Sequence, residues 1–255
     1  VEVFFVLSGF VIAFSVRKHQ VTKQFGATFA LRRSLRLDPP YYTTICLTAL
    51  WWAAYFPNGF MGVYEKISGW QGLAANAFYL HDILAFPSMF GVAWTLCLEV
   101  QFYLGYICLL GFSQYMCTRF GRCPSENRAS QSILLLVFMP LAAISICTWY
   151  PTLTQFNFLG IWHRFFLGVL VFWTLSGQVN QAFLLALSLV IFPLAIYCGD
   201  LRGITGLSTA LLIFTAGKTG YLSTGLSANW LQYLGRISYS LYLIHVLVGV
   251  SLANL

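Results

Sequence analysis

Charge is what this 255-residue sequence lacks: 8% of its residues are Asp, Glu, Lys or Arg, where an ordinary soluble domain has about 25%. Acidic residues are the scarcest, 7 in all, while 59% of the chain is hydrophobic and the mean hydropathy is +0.75. That leaves too little polar surface to coat a water-soluble globule, which excludes a disordered chain and points to a membrane protein. There is no C-x-x-C pair, Cys/His metal spacing, Walker loop, dinucleotide-binding glycine pattern, repeat or low-complexity tract. We therefore expect no metal and no permanently bound cofactor. The cysteines at 46, 97, 108 and 147 lie inside apolar runs and read as small core hydrophobes. The chain starts at Val1, without Met and already within an apolar stretch, which reads as a truncation at the N-terminus.

Apolar runs of spanning length fall near 1–16, 40–56, 92–114, 132–150, 158–176, 182–198, 204–216 and 232–254, the last but one being the weakest. They predict an all-α, polytopic bundle of eight transmembrane helices in one domain, 1–255. Taking alternate loops as cytoplasmic puts Arg17, Lys18, Lys23, Arg32, Arg33, Arg36, Arg119, Arg122, Arg128, Lys218 and Arg236 on one side, and Lys66 and Arg202 on the other. Eleven against two is a positive-inside bias, and it explains the net charge of +7 without a nucleic-acid partner. The long segment from Pro57 to Gly91 is then exterior, and its aromatics suit the bilayer interface.

Ionisable groups at membrane depth are costly unless paired or hydrated, so each is a functional candidate. Arg32, Arg33 and Arg36 share one helical face, closed by Asp38-Pro39-Pro40, with the prolines expected to end that helix. Such guanidinium forks suit a phosphate, while charge alone favours a positive-inside anchor touching acidic lipid. Glu99 lies on a stripe with Thr95, Tyr103 and Tyr106, as an acid/base group or as the partner of a buried arginine such as Arg164. Ser238, Tyr242 and His245 share a face of the last span, as a proton relay or an interhelical contact. Arg164, in Trp162-His163-Arg164, could hold an anion or pair with Glu99. His81-Asp82 reads as a solvated turn rather than a dyad.

Together these stretches resemble the acyltransferase 3 family of membrane O-acyltransferases. Val3-Phe4-Phe5-Val6-Leu7-Ser8-Gly9-Phe10 is similar to its "dlFFvlSGF" helix, and Arg33-Ser34-Leu35-Arg36 with Pro39-Pro40-Tyr41-Tyr42 to its "R-x-x-R…P-x-Y" stretch. Ala93-Trp94-Thr95-Leu96-Cys97-Leu98-Glu99-Val100-Gln101-Phe102-Tyr103 resembles "yWSLavEeqFY", with Val100 in place of the second acidic residue. Arg164 to Gly168 resembles "R-x-x-x-G", and Ile237 to His245 "iSYslYLwH". The family's usual general-base histidine lies on a helix before the point where this chain starts, and adding that helix makes nine spans.

The resemblance implies acyl transfer from a cytoplasmic acyl-CoA, acetyl-CoA for instance, to a hydroxyl of an exported or surface acceptor such as a sugar or glycan, in the plasma or bacterial inner membrane. It implies Arg33 and Arg36 as donor-binding residues, Glu99 and His245 as catalytic residues, and Trp94, Arg164, Ser238, Tyr239 and Tyr242 as cavity lining. It also implies that residues 1–255 alone are inactive. Two other readings stand beside it: a transporter or flippase of an anionic or lipid-linked substrate, and a non-catalytic membrane subunit.

Overall fold

The computed structural model describes residues 1–17, 21–55, 59–119, 128–152, 158–225 and 227–253, and among them every regular element is a helix. The order is α1 (Glu2–Val16), α2 (Lys23–Tyr55), α3 (Gly59–Lys66), α4 (Gly69–Ala77), α5 (Ala93–Arg119), α6 (Arg128–Thr152), α7 (Trp162–Leu175), α8 (Gln181–Tyr197), α9 (Leu201–Lys218), α10 (Tyr221–Thr224) and α11 (Asn229–Ala253). Each of the eight apolar runs overlaps one helix, and α7 begins four residues later than the run from 158. By length and composition, α5 is the one described helix able to cross a bilayer unaided, while α1, Leu135–Trp149 in α6, α7 and α8 are shorter apolar helices. Of the basic residues used for topology, Lys18 and Arg122 lie outside the described residues, as does Cys123.

The surface of these helices explains the composition. α1 buries Phe5, Val6, Ile12 and Ala13, yet Val3, Leu7, Val11 and Phe14 form an exposed apolar stripe on its other side. α8 likewise buries Leu184, Leu187 and Ile191 and exposes Leu185, Leu189, Phe192 and Ile196. Helices apolar all round, with one side on protein and the other bare, suit a hydrocarbon solvent. The same fact corrects the reading of the cysteines. Cys97 is buried, but Cys46, Cys108 and Cys147 are exposed, and Cys117 is disulfide-bonded. On a helix that meets apolar surroundings on every side, an apolar residue carries no instruction to face inward.

The prolines also behave differently from expectation. α2 runs without interruption from Lys23 to Tyr55, with Pro39 and Pro40 inside it. Two consecutive prolines remove two backbone donors but leave their own carbonyls available, and the Thr43 and Thr44 hydroxyls donate to those of Pro39 and Pro40 at 2.7 and 2.8 Å. The arginine turn and the Tyr41-Tyr42 pair therefore stand on one continuous helix.

Backbone contacts divide the chain into two compact units, 1–26 with 101–226 and 27–100 with 227–255. In the first, α1 crosses α7 at a contact of backbone on backbone. A Cβ on Gly9 would lie 1.9 Å from the Phe165 carbonyl oxygen, and one on Gly168 would lie 1.9 Å from that of Val6. Small residues that let helix backbones touch are the usual device for packing in lipid, where apolar side chains gain nothing by leaving hydrocarbon. Beside this crossing lies an aromatic core in which Phe102 stacks on Phe165 with centroids 4.1 Å apart and Phe138 packs against Trp162 and Trp173. Between α8 and α9, Gly199 at φ 64° turns the chain and the Asp200 side chain caps α9 by accepting from the Arg202 amide.

In the second unit, Tyr41 and Ile45 of α2 pack with Ile67, Tyr79, Met89 and Phe90 of the middle segment, Ala93 and Leu96 of α5, and Leu243 of α11.

Candidate active site

Most of the residues singled out in the sequence fall in the second unit: Arg33, Arg36, Trp94, Glu99, Ser238, Tyr239, Tyr242 and His245. On α2, Arg36 is exposed and Arg33 half-buried, its guanidinium 5.4 Å from the centre of the Phe29 ring. The acidic residue nearest to them in sequence, Asp38, is held elsewhere. It accepts the Ser34 hydroxyl one turn back on one oxygen and the Tyr79 phenol at 2.9 Å on the other. Tyr79 sits in the left-handed region at φ 58°, uncommon for an aromatic residue, and its carbonyl accepts the Cys97 thiol at 2.8 Å. Burial, and then the Asp38 carboxylate, hold its phenol above the usual range and so protonated. One strained tyrosine thus ties the arginine helix to the turn of α5 that carries Glu99.

Glu99 is 3% exposed, one turn beyond Thr95. The Thr95 hydroxyl donates to the Val92 carbonyl at 2.7 Å, so its oxygen accepts the Tyr242 phenol at 2.9 Å. Glu99 is near enough to Tyr242 to act on it electrostatically. Tyr239, one turn earlier on α11, donates to the Leu37 carbonyl at 3.1 Å, next to Arg36. The arginine turn of α2, the Glu99 turn of α5 and the tyrosine face of α11 are therefore joined by Tyr79, Tyr239 and Tyr242.

The expected face of Ser238, Tyr242 and His245 divides. Tyr242 points at α5, whereas Ser238 is exposed and donates to Gly235 of its own helix at 3.0 Å. His245 is exposed too, with Nδ1 2.5 Å from the Tyr242 carbonyl. A carbonyl only accepts, so Nδ1 carries a proton and donates it there.

Arg164 belongs to the first unit, and the structure gives it partners other than Glu99. Buried at 1% exposure, it meets Glu2 of α1 at 2.5 Å and Asp200, the cap of α9, at 3.2 Å, and lies over the Trp149 ring at 4.1 Å. Trp149 Nε1 donates to the same Asp200 oxygen at 3.0 Å. Arginine suits this place because its planar fork can meet two carboxylates and stack on an aromatic face at once. Its neighbour His163, also buried, is 2.8 Å from the Ser145 hydroxyl. That hydroxyl donates to the Gly160 carbonyl at 2.9 Å and accepts the His163 amide at 3.0 Å, so it is a tether for α7 and not a nucleophile.

Spacing within a helix revealed none of the long-range partners Glu2, Asp200, Tyr79 or Asp38. The signal available was scarcity, since Glu2 and Asp200 are two of only 7 acidic residues, both bordering apolar helices. His81 was misread: Asp82 is exposed, but His81 itself is 1% exposed. Among the described residues no group of three or more His, Cys, Asp or Glu is placed to hold a metal ion.

The model of the acyltransferase 3 family, described as an acyltransferase domain, matches residues 1–255. The chain belongs to the acyltransferase 3 family. Acyltransferase MdmB of Streptomyces mycarofaciens is similar to it at 26% identity over 279 residues, covering 97% of this chain and 67% of MdmB. No solved structure matches the chain. Membership makes this protein an acyltransferase, and it gives the glycines of the α1–α7 crossing a meaning: Gly9 and Gly168 are the glycines of the "SGF" and "R-x-x-x-G" stretches, and each is where a helix backbone touches the other.

Proposed function

We propose that this acyltransferase is a multi-pass protein of the plasma or bacterial inner membrane that moves an acyl group from acyl-CoA to a hydroxyl of a carbohydrate or similar exported acceptor. The observation that supports this best is the joining of the Arg33–Arg36 turn, the Glu99 turn and the Tyr239–Tyr242 face within one compact unit. Arg33 and Arg36 supply donor-side contacts to coenzyme A phosphates, which guanidinium forks suit. The acceptor oxygen attacks the thioester carbonyl carbon, the C–S bond breaks, and the coenzyme leaves as a thiolate that takes up a proton. Glu99 and His245, through its Nε2, are the groups of this chain suited to carry that proton, and the Thr95–Tyr242 pair, with Trp94 and Tyr239, lines the acceptor side. Arg164 and Ser238 serve as supports.

The test is purified full-length protein in proteoliposomes with acetyl-CoA inside and a panel of glycosides outside. Thiol release and the acetylated glycoside are followed together. Arg33→Lys and Arg36→Lys keep the charge and lose the fork, so each is expected to raise the KM for acetyl-CoA about tenfold or more. Movement of substrate across the bilayer without a mass change would refute the reading in favour of a transporter.

A further inference from the structure

His81 is an anomaly among the described residues of the second unit. The polar side chains that precede it, Asn76 and Tyr79, are bonded. Asn76, with no exposure at all, donates to Gly72 and Pro87 carbonyls at 2.9 Å, accepts the Met89 amide at 3.0 Å, and its own carbonyl takes the Tyr41 phenol at 2.8 Å. Tyr79 is satisfied at both its phenol and its carbonyl. The Phe86 amide closes the turn on the His81 carbonyl at 2.8 Å, and Ala85 takes a left-handed φ of 55° to allow it. Yet both ring nitrogens of His81, 1% exposed, lack a hydrogen-bond partner among the described residues. A buried imidazole has one obligatory donor and one acceptor, and leaving either unmade is costly. Its chain neighbours Leu80, Asp82, Ile83 and Leu84 are all exposed, so an apolar side chain could have faced inward in its place.

We propose that His81 is an acceptor-binding residue, its imidazole offering one donor and one acceptor to a substrate hydroxyl. A hydroxyl is itself one donor with lone pairs, and so complements both kinds of ring nitrogen. The anionic donor does not fit here, because phosphates call for guanidinium forks and burial disfavours the charged imidazole. The turn is fixed to the frame of the site, through Tyr79 to Asp38 beyond the arginines and through the Tyr79 carbonyl to Cys97, two residues before Glu99. The strain at Tyr79 and Ala85 is borne by the segment that holds this imidazole inward. The proposal rests on the acyl-transfer reading and adds to it the residue that selects a hydroxyl.

The experiment compares full-length wild type with His81→Leu and His81→Gln. It measures thermal unfolding without substrate, and acetyl transfer from acetyl-CoA to octyl glucoside, octyl maltoside and octanol. Because leucine removes an unsatisfied polar group at similar volume, His81→Leu is expected to melt higher, by about 2–4 °C, while its acceptor KM rises about tenfold and its acetyl-CoA KM holds. His81→Gln, which keeps a donor and an acceptor, is expected to retain most of the acceptor affinity. A His81→Leu variant that melts no higher than wild type shows the imidazole to be satisfied within the fold and overturns the proposal. So does a higher-melting variant with unchanged acceptor KM. If wild type transfers acetyl to none of the three acceptors, the acyl-transfer reading falls and this assignment falls with it, whereas an active wild type indifferent to His81 sinks the assignment alone.

Discussion

Replacing Gly168 with alanine tests the packing of the first unit by its sign. A glycine in a helix interior costs about 0.5–1 kcal/mol relative to alanine, so with open space around it Gly168→Ala would stabilise the protein. Here the new Cβ would sit 1.9 Å from the Val6 carbonyl oxygen, 2.7 Å from the Phe10 amide nitrogen and 2.9 Å from the Val6 carbonyl carbon, all of them backbone. No side chain can swing away, so α1 and α7 must part by roughly 1.5 Å at their crossing to restore ordinary contact. A gap of even about 1 Å forfeits up to half of each dispersion contact along the seam. The seam includes Phe5 on Phe165 at 4.7 Å and Phe10 on Phe172 at 5.7 Å. Overpacking of this kind costs about 3 kcal/mol, which lowers Tm by roughly 6–12 °C for a chain of this size. Gly9→Ala is expected to do the same, since its Cβ would lie 1.9 Å from the Phe165 carbonyl oxygen. The double variant should cost well under the sum of the two, because the first substitution has already opened the crossing. Gly206→Ala on α9 is the control, with only a Val6 methyl at 3.9 Å, and should raise Tm slightly. The assay is thermal unfolding in detergent followed by tryptophan fluorescence. A rise in Tm for Gly168→Ala, or strict additivity of the pair, would refute the reasoning.

Three further outcomes follow from the buried polar groups. Arg164→Ala leaves the Glu2 and Asp200 carboxylates buried without their cation and should cost about 3–5 kcal/mol, read as loss of folded protein on size exclusion, with Arg164→Lys intermediate. Tyr79→Phe removes one charge-assisted hydrogen bond to Asp38 and should cost about 1.5–3 kcal/mol, while a variant as stable as wild type would show that contact to be idle. Acid should destabilise the protein through His81. Burial lowers the pKa of its imidazole from 6.5, so on acidification the unfolded chain takes a proton that the folded chain refuses; stability is full above about pH 6.5 and declines as pH falls toward the folded value. Asp82, raised from 3.8 by burial, acts in the opposite sense at lower pH. Between pH 6.5 and 5 the Tm should therefore drop in wild type and drop less in His81→Leu, and parallel profiles would count against the assignment.

What the sequence made legible, and what it hid, divides along a physical line. Helix position depends on runs of apolar residues, which are local, so each of the eight predicted spans overlaps a helix. The arginine turn, Glu99 and the tyrosines of the last helix were legible because a scarce polar group in an apolar run stands out by itself. Facing was not legible, since a helix such as α1 is apolar on both sides and periodicity cannot say which side meets protein. Pairing was hidden for another reason. Arg164 meets Glu2 and Asp200 through the crossing of α1, α7 and α9, and that crossing is set by two glycines whose significance is the side chain they lack. Glu99 was the plausible partner on composition, but an arginine in the first turn of α7 reaches the carboxylates at the ends of the helices packed against it. The same logic accounts for His81: a histidine beside an aspartate in a long connection reads as a wet turn. Only its burial, beside the fully bonded Asn76 and Tyr79, shows that the imidazole belongs to the interior.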